Sequence, residues 1–177
     1  TTWLVRDQRF VDGRTDVLSY TSAPLAKPLA LAGIPVANLF ASTSGSDSDW
    51  VVKLIDVYPD QYPDDPKMAG YQLPLAITIF RGRYREDFAA PKPLQPGVAQ
   101  AYTFDLPTVH HVLKPGHRLM VQVQSSLFPL YDRNPQTYVD NIFFAKPADY
   151  RKAVQRIVAT PEQASFISLP VVSGTLP

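Results

Sequence analysis

Proline is spread along this chain from Pro24 to Pro177, 18 residues in all, and it restricts the fold more than any other feature. A proline ring fixes φ, lacks a backbone donor and clashes with the preceding helical turn. It is tolerated in strands only at edges, ends and bulges. Long helices are therefore nearly excluded, and many short elements with fixed turns are expected.

The stretches between prolines read as strands. "DVLSYTS" (16–22) is β-branched and aromatic, and "VANLFAS" (36–42) alternates. "WVVKLIDVY" (50–58) is apolar on both faces, as in a strand covered from both sides. In "YQLPLAITIF" (71–80), Leu73, Leu75, Ile77 and Ile79 fall on one face at period two, and Pro74 indicates an edge or a bulge. "QAYTFDL" (100–106) aligns Gln100, Tyr102, Phe104 and Leu106. Leu119, Val121 and Val123 oppose Met120, Gln122 and Gln124, and "ASFISLPVV" (164–172) closes the series. In "PADYRKAVQRIVATP" (147–161), Tyr150, Val154 and Ile157 sit at helical spacing, whereas Val154, Arg156 and Val158 alternate; a helical turn near 148–152 followed by a strand is expected. Eight to ten strands without alternating helices predict an all-β fold, two antiparallel sheets packed as a sandwich within one domain of 177 residues.

The bulk composition narrows the partners. Apolar residues at 45% and charged residues at 19% suit a globular core. A formal net charge of +1 supplies no field for nucleic acid or an anionic membrane, and no apolar run is long enough to span a bilayer. Cysteine is absent, so thiol catalysis, disulfides and Cys-ligated zinc are all unavailable. The chain begins at Thr1, as expected for a processed or excised piece of a longer protein.

"GHRLMVQVQSSLFPLYDRNP" (116–135) carries the residue types of a charge-relay hydrolase. His117 and Ser125 share one side of an extended segment, but eight residues of strand separate their Cα atoms by roughly 26 Å. A proton-sharing pair needs about 2.6–3.2 Å. No glycine is followed two positions later by serine, so the strained G-x-S-x-G elbow is missing as well. The same letters read better as turn chemistry. Asp132 and Asn134 can bond nearby amides, Arg133 can hold carboxylates or carbonyls, and Ser125 and Ser126 can satisfy backbone where the strand ends. His110 and His111 are adjacent and point to opposite faces of a strand, a poor metal pair. "SDSD" (46–49) and "DVYPDQYPDD" (56–65) lack the twelve-residue calcium-loop pattern and read as solvated acidic loops. Arg81, Arg83 and Arg85 would line one face of a strand end, as a partner contact or as a surface paired with carboxylates. No cofactor site is expected.

Taken together, "RTDVLSYTSAPLAKPLALAGIPVANLFASTSGSDSDWVVKLIDVYPD" (14–60), "RGRYRED", "YTFDL", "LKPGHRLMVQVQSSLFPLYDRNPQT" and "ISLPVV", in that order, resemble the C-terminal domain of the Xaa-Pro dipeptidyl-peptidase and cocaine-esterase-like hydrolases, a group that includes α-amino acid ester hydrolases and acylases. The likeness runs from about residue 14 to residue 172. It implies a jelly-roll β-sandwich, galactose-binding-domain-like, following an α/β-hydrolase domain that carries the Ser-Asp-His triad. The family's catalytic residues then have no counterparts in this chain. The "LFPLYDRNPQT" form is closer to the ester hydrolase and acylase branch, which favours an exported parent. The expected partner is the catalytic domain of the same parent chain, with a homo-oligomer as a further possibility. Expected contacts or structural corners are His117 and Arg118; Ser125, Ser126, Asp132, Arg133 and Asn134; and Arg81, Arg83 and Arg85. A docking domain should also expose an apolar patch larger than that of an ordinary monomer. The alternative is a stand-alone carbohydrate- or peptide-binding sandwich, marked by exposed aromatics beside polar side chains.

Overall fold

The stretches between prolines form ten short strands joined by turns. The computed structural model describes residues 2–172, and among these there is no α-helix. The strands are β1 (Val17–Thr21), β2 (Leu29–Gly33), β3 (Val36–Thr43), β4 (Asp49–Val57), β5 (Gln72–Arg81), β6 (Gln100–Asp105), β7 (Val109–Leu113), β8 (Arg118–Gln124), β9 (Gln155–Val158) and β10 (Phe166–Ser168).

One sheet has the order β1-β8-β4-β5. A second runs β10-β3-β6, with β9 also on β3; β10 pairs with Val36, Ala37 and Asn38, and β9 with Phe40 to Thr43. The ribbon β2-β7 stands beside them. All pairs are antiparallel, and the first eight strands nest: β1 with β8, β2 with β7, β3 with β6, β4 with β5. This nesting is consistent with a jelly-roll ribbon folded back on itself, and the two-sheet sandwich expected from period-two patterning is what forms. The turn at Pro147–Asp149 and the strand β9 after it resolve the ambiguous 147–161 segment as expected.

The two sheets meet through Trp50, Val52 and Leu54 of β4, Val123 of β8 and Ala76 of β5 on one side, and Ala37, Leu39, Ala41, Tyr102 and Phe104 on the other. Phe80 stacks on Phe104 at 5.0 Å between centroids, and Trp50 meets Tyr102 at 5.5 Å. Aromatic pairs of this kind add about 0.5–1.5 kcal/mol beyond area burial. β4 is buried along its length because its other face is covered too. Residues 2–12 form two 3-10 turns that lie over that face. They are pinned by Tyr71 Oη donating to Val5 O (2.7 Å), by the Gln72 amide donating to Asp7 Oδ1 (3.2 Å), and by Gln72 Nε2 donating to Asp12.

Three local expectations need correction. In β5 the apolar residues at period two do not share one face. The register shifts between Leu54 and Ile55, so that Leu54 faces Ala76 and Ile55 faces Pro74. A bulge flips the alternation, and Phe80 and Ala76 reach the inter-sheet core, not Ile77 and Ile79. The edge position and the bulge are what admit Pro74. Secondly, Arg81, Arg83 and Arg85 do not form a stripe. The strand stops at Arg81, and Gly82–Tyr84 is a 3-10 turn that turns Arg83 inward. Thirdly, Asp47, Asp49 and Asp56 are not in solvated loops: all three are buried.

Candidate functional site

At one pole of the sandwich β3, β5 and β8 end and β4 and β9 begin. A long irregular segment, 125–154, crosses this pole, and a buried charge network holds it there. Arg83 is 3% exposed and Asp47 0%. Arg83 Nε and Nη2 both donate to Asp47 Oδ2, at 2.9 and 2.6 Å. Nη2 also donates to Val139 O at 2.8 Å and Nη1 to Asp140 O at 3.4 Å. The guanidinium lies 4.6 Å from the ring centroid of Tyr138, whose hydroxyl donates to Pro91 O. The planar fork makes four hydrogen bonds here, two to one carboxylate and two to carbonyls, one more than the three donors of an ammonium could supply.

Asn134 Nδ2 donates to Asp49 Oδ1 at 2.9 Å, and its Oδ1 accepts from the Gln136 amide at 2.9 Å. Arg81 Nη1 stands 3.8 Å from Asp49 Oδ2, too far for a hydrogen bond. Burial therefore dominates at Asp49 and pushes its carboxyl up to about 6, although Asn134 and Arg81 oppose the rise. Close packing completes the clamp. The Ser46 amide donates to Gln136 O, and a Cβ on Gly45 would stand 2.1 Å from that oxygen.

Around this buried network the surface is aromatic. Phe143 is 70% and Phe144 80% exposed, on a turn capped by Asn141 Oδ1, and Phe88 is 79% exposed beside Tyr84. Phe128, Leu130 and Tyr131 are exposed where the segment leaves β8. Large rings are thus held outward around a pinned scaffold at this pole.

The opposite pole holds the histidines. Asp56 is buried and accepts through both oxygens: His117 Nδ1 lies 2.8 Å from Oδ1 and His111 Nε2 2.8 Å from Oδ2. His117 is 2% exposed, with its ring 4.4 Å from Tyr58 and 5.8 Å from Tyr62. Its Nε2 is buried without a hydrogen-bond partner, walled by these rings. An Asp–His pair is present, but the nitrogen that would activate a nucleophile meets no hydroxyl. Among the described residues, no serine is hydrogen-bonded to any histidine. Ser125 and Ser126 lie at the far end of β8, with Ser126 Oγ accepting from the Phe128 amide.

The singled-out residues thus separate into two groups. Arg83, Asn134 and His117 are buried. Arg81 is half-buried beside Asp49, and Arg85 donates to Lys92 O and Pro93 O. Arg118 donates to Ser22 O. Arg133 holds no carboxylate. It lies 5.4 Å from the Phe128 ring and 5.8 Å from that of Tyr150, and Asp132 is exposed. The sequence reading passed over Lys53 and took Asp47, Asp49 and Asp56 for solvated loop residues. For Lys53 and Asp56 the available signal was a charge inside a strand that is apolar on both faces, "WVVKLIDV" (50–57), where any ionic group must be buried.

Comparison with known proteins places this geometry. The family described as the X-Pro dipeptidyl-peptidase C-terminal non-catalytic domain matches residues 7–168. A cocaine esterase of Rhodococcus sp. (strain MB1 Bresler) is 39% identical over 166 residues, which cover 94% of this chain and 27% of that protein. The structure of an α-amino acid ester hydrolase superposes with a TM-score of 0.95 at 67% identity, and an aminopeptidase from a marine sediment Thaumarchaeota archaeon with 0.95 at 60%; each match covers 97% of this chain and 28% of the other. The chain therefore spans little more than a quarter of the relatives' length. This chain belongs to the family of X-Pro dipeptidyl-peptidase C-terminal non-catalytic domains.

Proposed function

We propose that this domain braces a serine hydrolase of the ester hydrolase type, docking its aromatic pole on the catalytic α/β-hydrolase domain of the parent chain and helping to wall the active-site cleft. The observation that carries this reading is the combination at one pole of highly exposed Phe88, Phe143 and Phe144 with the buried Arg83–Asp47 clamp. Rings on a rigid support lose little conformational entropy on docking, which is what an interdomain face needs. The identities to an ester hydrolase and an esterase favour ester chemistry in the parent.

The test has two arms. The 177-residue chain alone should not hydrolyse ester or Xaa-Pro amide substrates above background. Mixed with an α-amino acid ester hydrolase shortened by its own C-terminal domain, it should form a complex on gel filtration and raise the activity. Phe143→Ser with Phe144→Ser should abolish both effects. Turnover by the chain alone, or undiminished complex formation by the double variant, would refute the reading.

A further inference from the structure

A cleft of about 400 Å³ opens between residues 10–17 and the segment that leaves β8. It belongs neither to the charge clamp nor to the histidine pole. Lys53 lines it, and Lys53 is 1% exposed. Lys53 Nζ donates to Gln8 Oε1 at 2.7 Å and stands 5.6 Å from the Phe10 ring centroid; no carboxylate accepts from it among the described residues. An ammonium has three donors, so this one is under-satisfied.

Two arginines stand at the mouth. Arg14 is already bonded to both oxygens of Asp16, at 2.8 and 2.6 Å. Arg133 lies near two aromatic rings, those of Phe128 and Tyr150, and no described carboxylate lies within ion-pair distance of it. Three cations and one anion therefore face the cleft, with the charges of Lys53 and Arg133 uncompensated. The remaining wall is mixed: Phe10, Val11, Val17, Leu127 and Phe128 supply apolar surface, and Gln124, Ser125 and Ser126 supply polar groups.

We propose that this cleft binds a small monocarboxylate with an apolar body, its carboxylate directed to Lys53 and Arg133 and its body against Phe10 and Phe128. A buried cation without a counter-charge is costly, and an anion brought beside it in a poorly hydrated cleft relieves that cost. A bare inorganic anion would leave the rings uncovered, as would an aspartate or glutamate side chain, whose apolar part is too short. A ring or short acyl chain attached to the carboxylate matches both halves of the lining. The inference concerns this domain's own cleft, and the docking proposed above rests on Phe88, Phe143 and Phe144, which do not line it.

Calorimetric titration of the 177-residue chain with phenylacetate at pH 7, and with its neutral isostere phenylacetamide, is the experiment. Phenylacetate should bind, and the amide should bind at least about tenfold more weakly, as expected when a charge-assisted contact is lost. Lys53→Met and Arg133→Ala should each weaken phenylacetate binding by about tenfold or more. Arg133 is exposed, so its variant folds irrespective of the cleft, and it decides the matter should Lys53→Met fail to give the parent circular dichroism spectrum. Phenylacetate that gives no heat at millimolar concentration, equal affinity for acid and amide, or parent-like affinity in Arg133→Ala would each overturn the proposal.

Discussion

Replacing Arg83 by Met keeps the aliphatic stem and removes the fork. Asp47, 0% exposed, then loses both of its ionic hydrogen bonds, and the carbonyls of Val139 and Asp140 lose their donor. Breaking a buried pair by deleting one partner costs about 3–5 kcal/mol, because the charge left behind is uncompensated. The orphaned carbonyls lie where water can reach them once the segment loosens, so they add less than their full desolvation cost. A domain has about 5–15 kcal/mol in total, so Arg83→Met should remove about a fifth of it or more. For a chain of this size, each kcal/mol lowers Tm by about 2–4 °C, which gives a fall of roughly 6–20 °C. Urea unfolding followed by tryptophan fluorescence is suitable because Trp50 lies in the inter-sheet core. Asp47→Leu combined with Arg83→Met should be more stable than Arg83→Met alone, since no buried charge is then left unpaired. A loss below about 1 kcal/mol for Arg83→Met, within the range of an exposed ion pair, would refute the view that this pair clamps the pole.

Other perturbations follow from the same geometry. Burial, with Arg14 nearby, pushes the Lys53 ammonium down to about 8 from the ordinary 10.5. The unfolded chain therefore binds more protons between these values, and stability should rise with pH from 8 to 10.5. The difference between the wild-type chain and Lys53→Met should carry that slope, and a flat difference in urea titrations would refute it. Asp56→Ala removes the acceptor of both His111 and His117 and should cost about 1–3 kcal/mol per bond lost, with loss of any slowly exchanging imidazole N–H resonance in the proton NMR spectrum. Gly45→Ala places a methyl 2.1 Å from Gln136 O and should destabilise by more than about 1 kcal/mol in the same urea assay, although alanine is mild elsewhere in a loop.

Much of the architecture could be read from local pattern. Period two survives burial: Leu119, Val121 and Val123 point inward as their alternation demands, and Tyr102 and Phe104 do the same from the other sheet. Spacing alone kept His117 from Ser125, because an extended backbone has a fixed rise per residue. Local chemistry also located the turn around Asn134, whose side chain accepts from the Gln136 amide. The bulge at Ile55 was signalled by Pro74, but its effect on which face of β5 is buried was not, since one extra residue reverses every later side chain.

Sequence alone determined what depends on near neighbours: strand period, the effect of each proline, and the want of a nucleophile elbow. Partnership between charges was decided only by the tertiary fold. Arg83 stands 36 residues from Asp47, Asn134 85 from Asp49, and His117 61 from Asp56. An aspartate in a polar loop and an aspartate buried beneath an arginine read identically along the chain. Their difference arises when β4 is covered on both faces and the 125–154 segment closes over its end, because desolvation depends on what is packed around a group and not on what adjoins it in sequence.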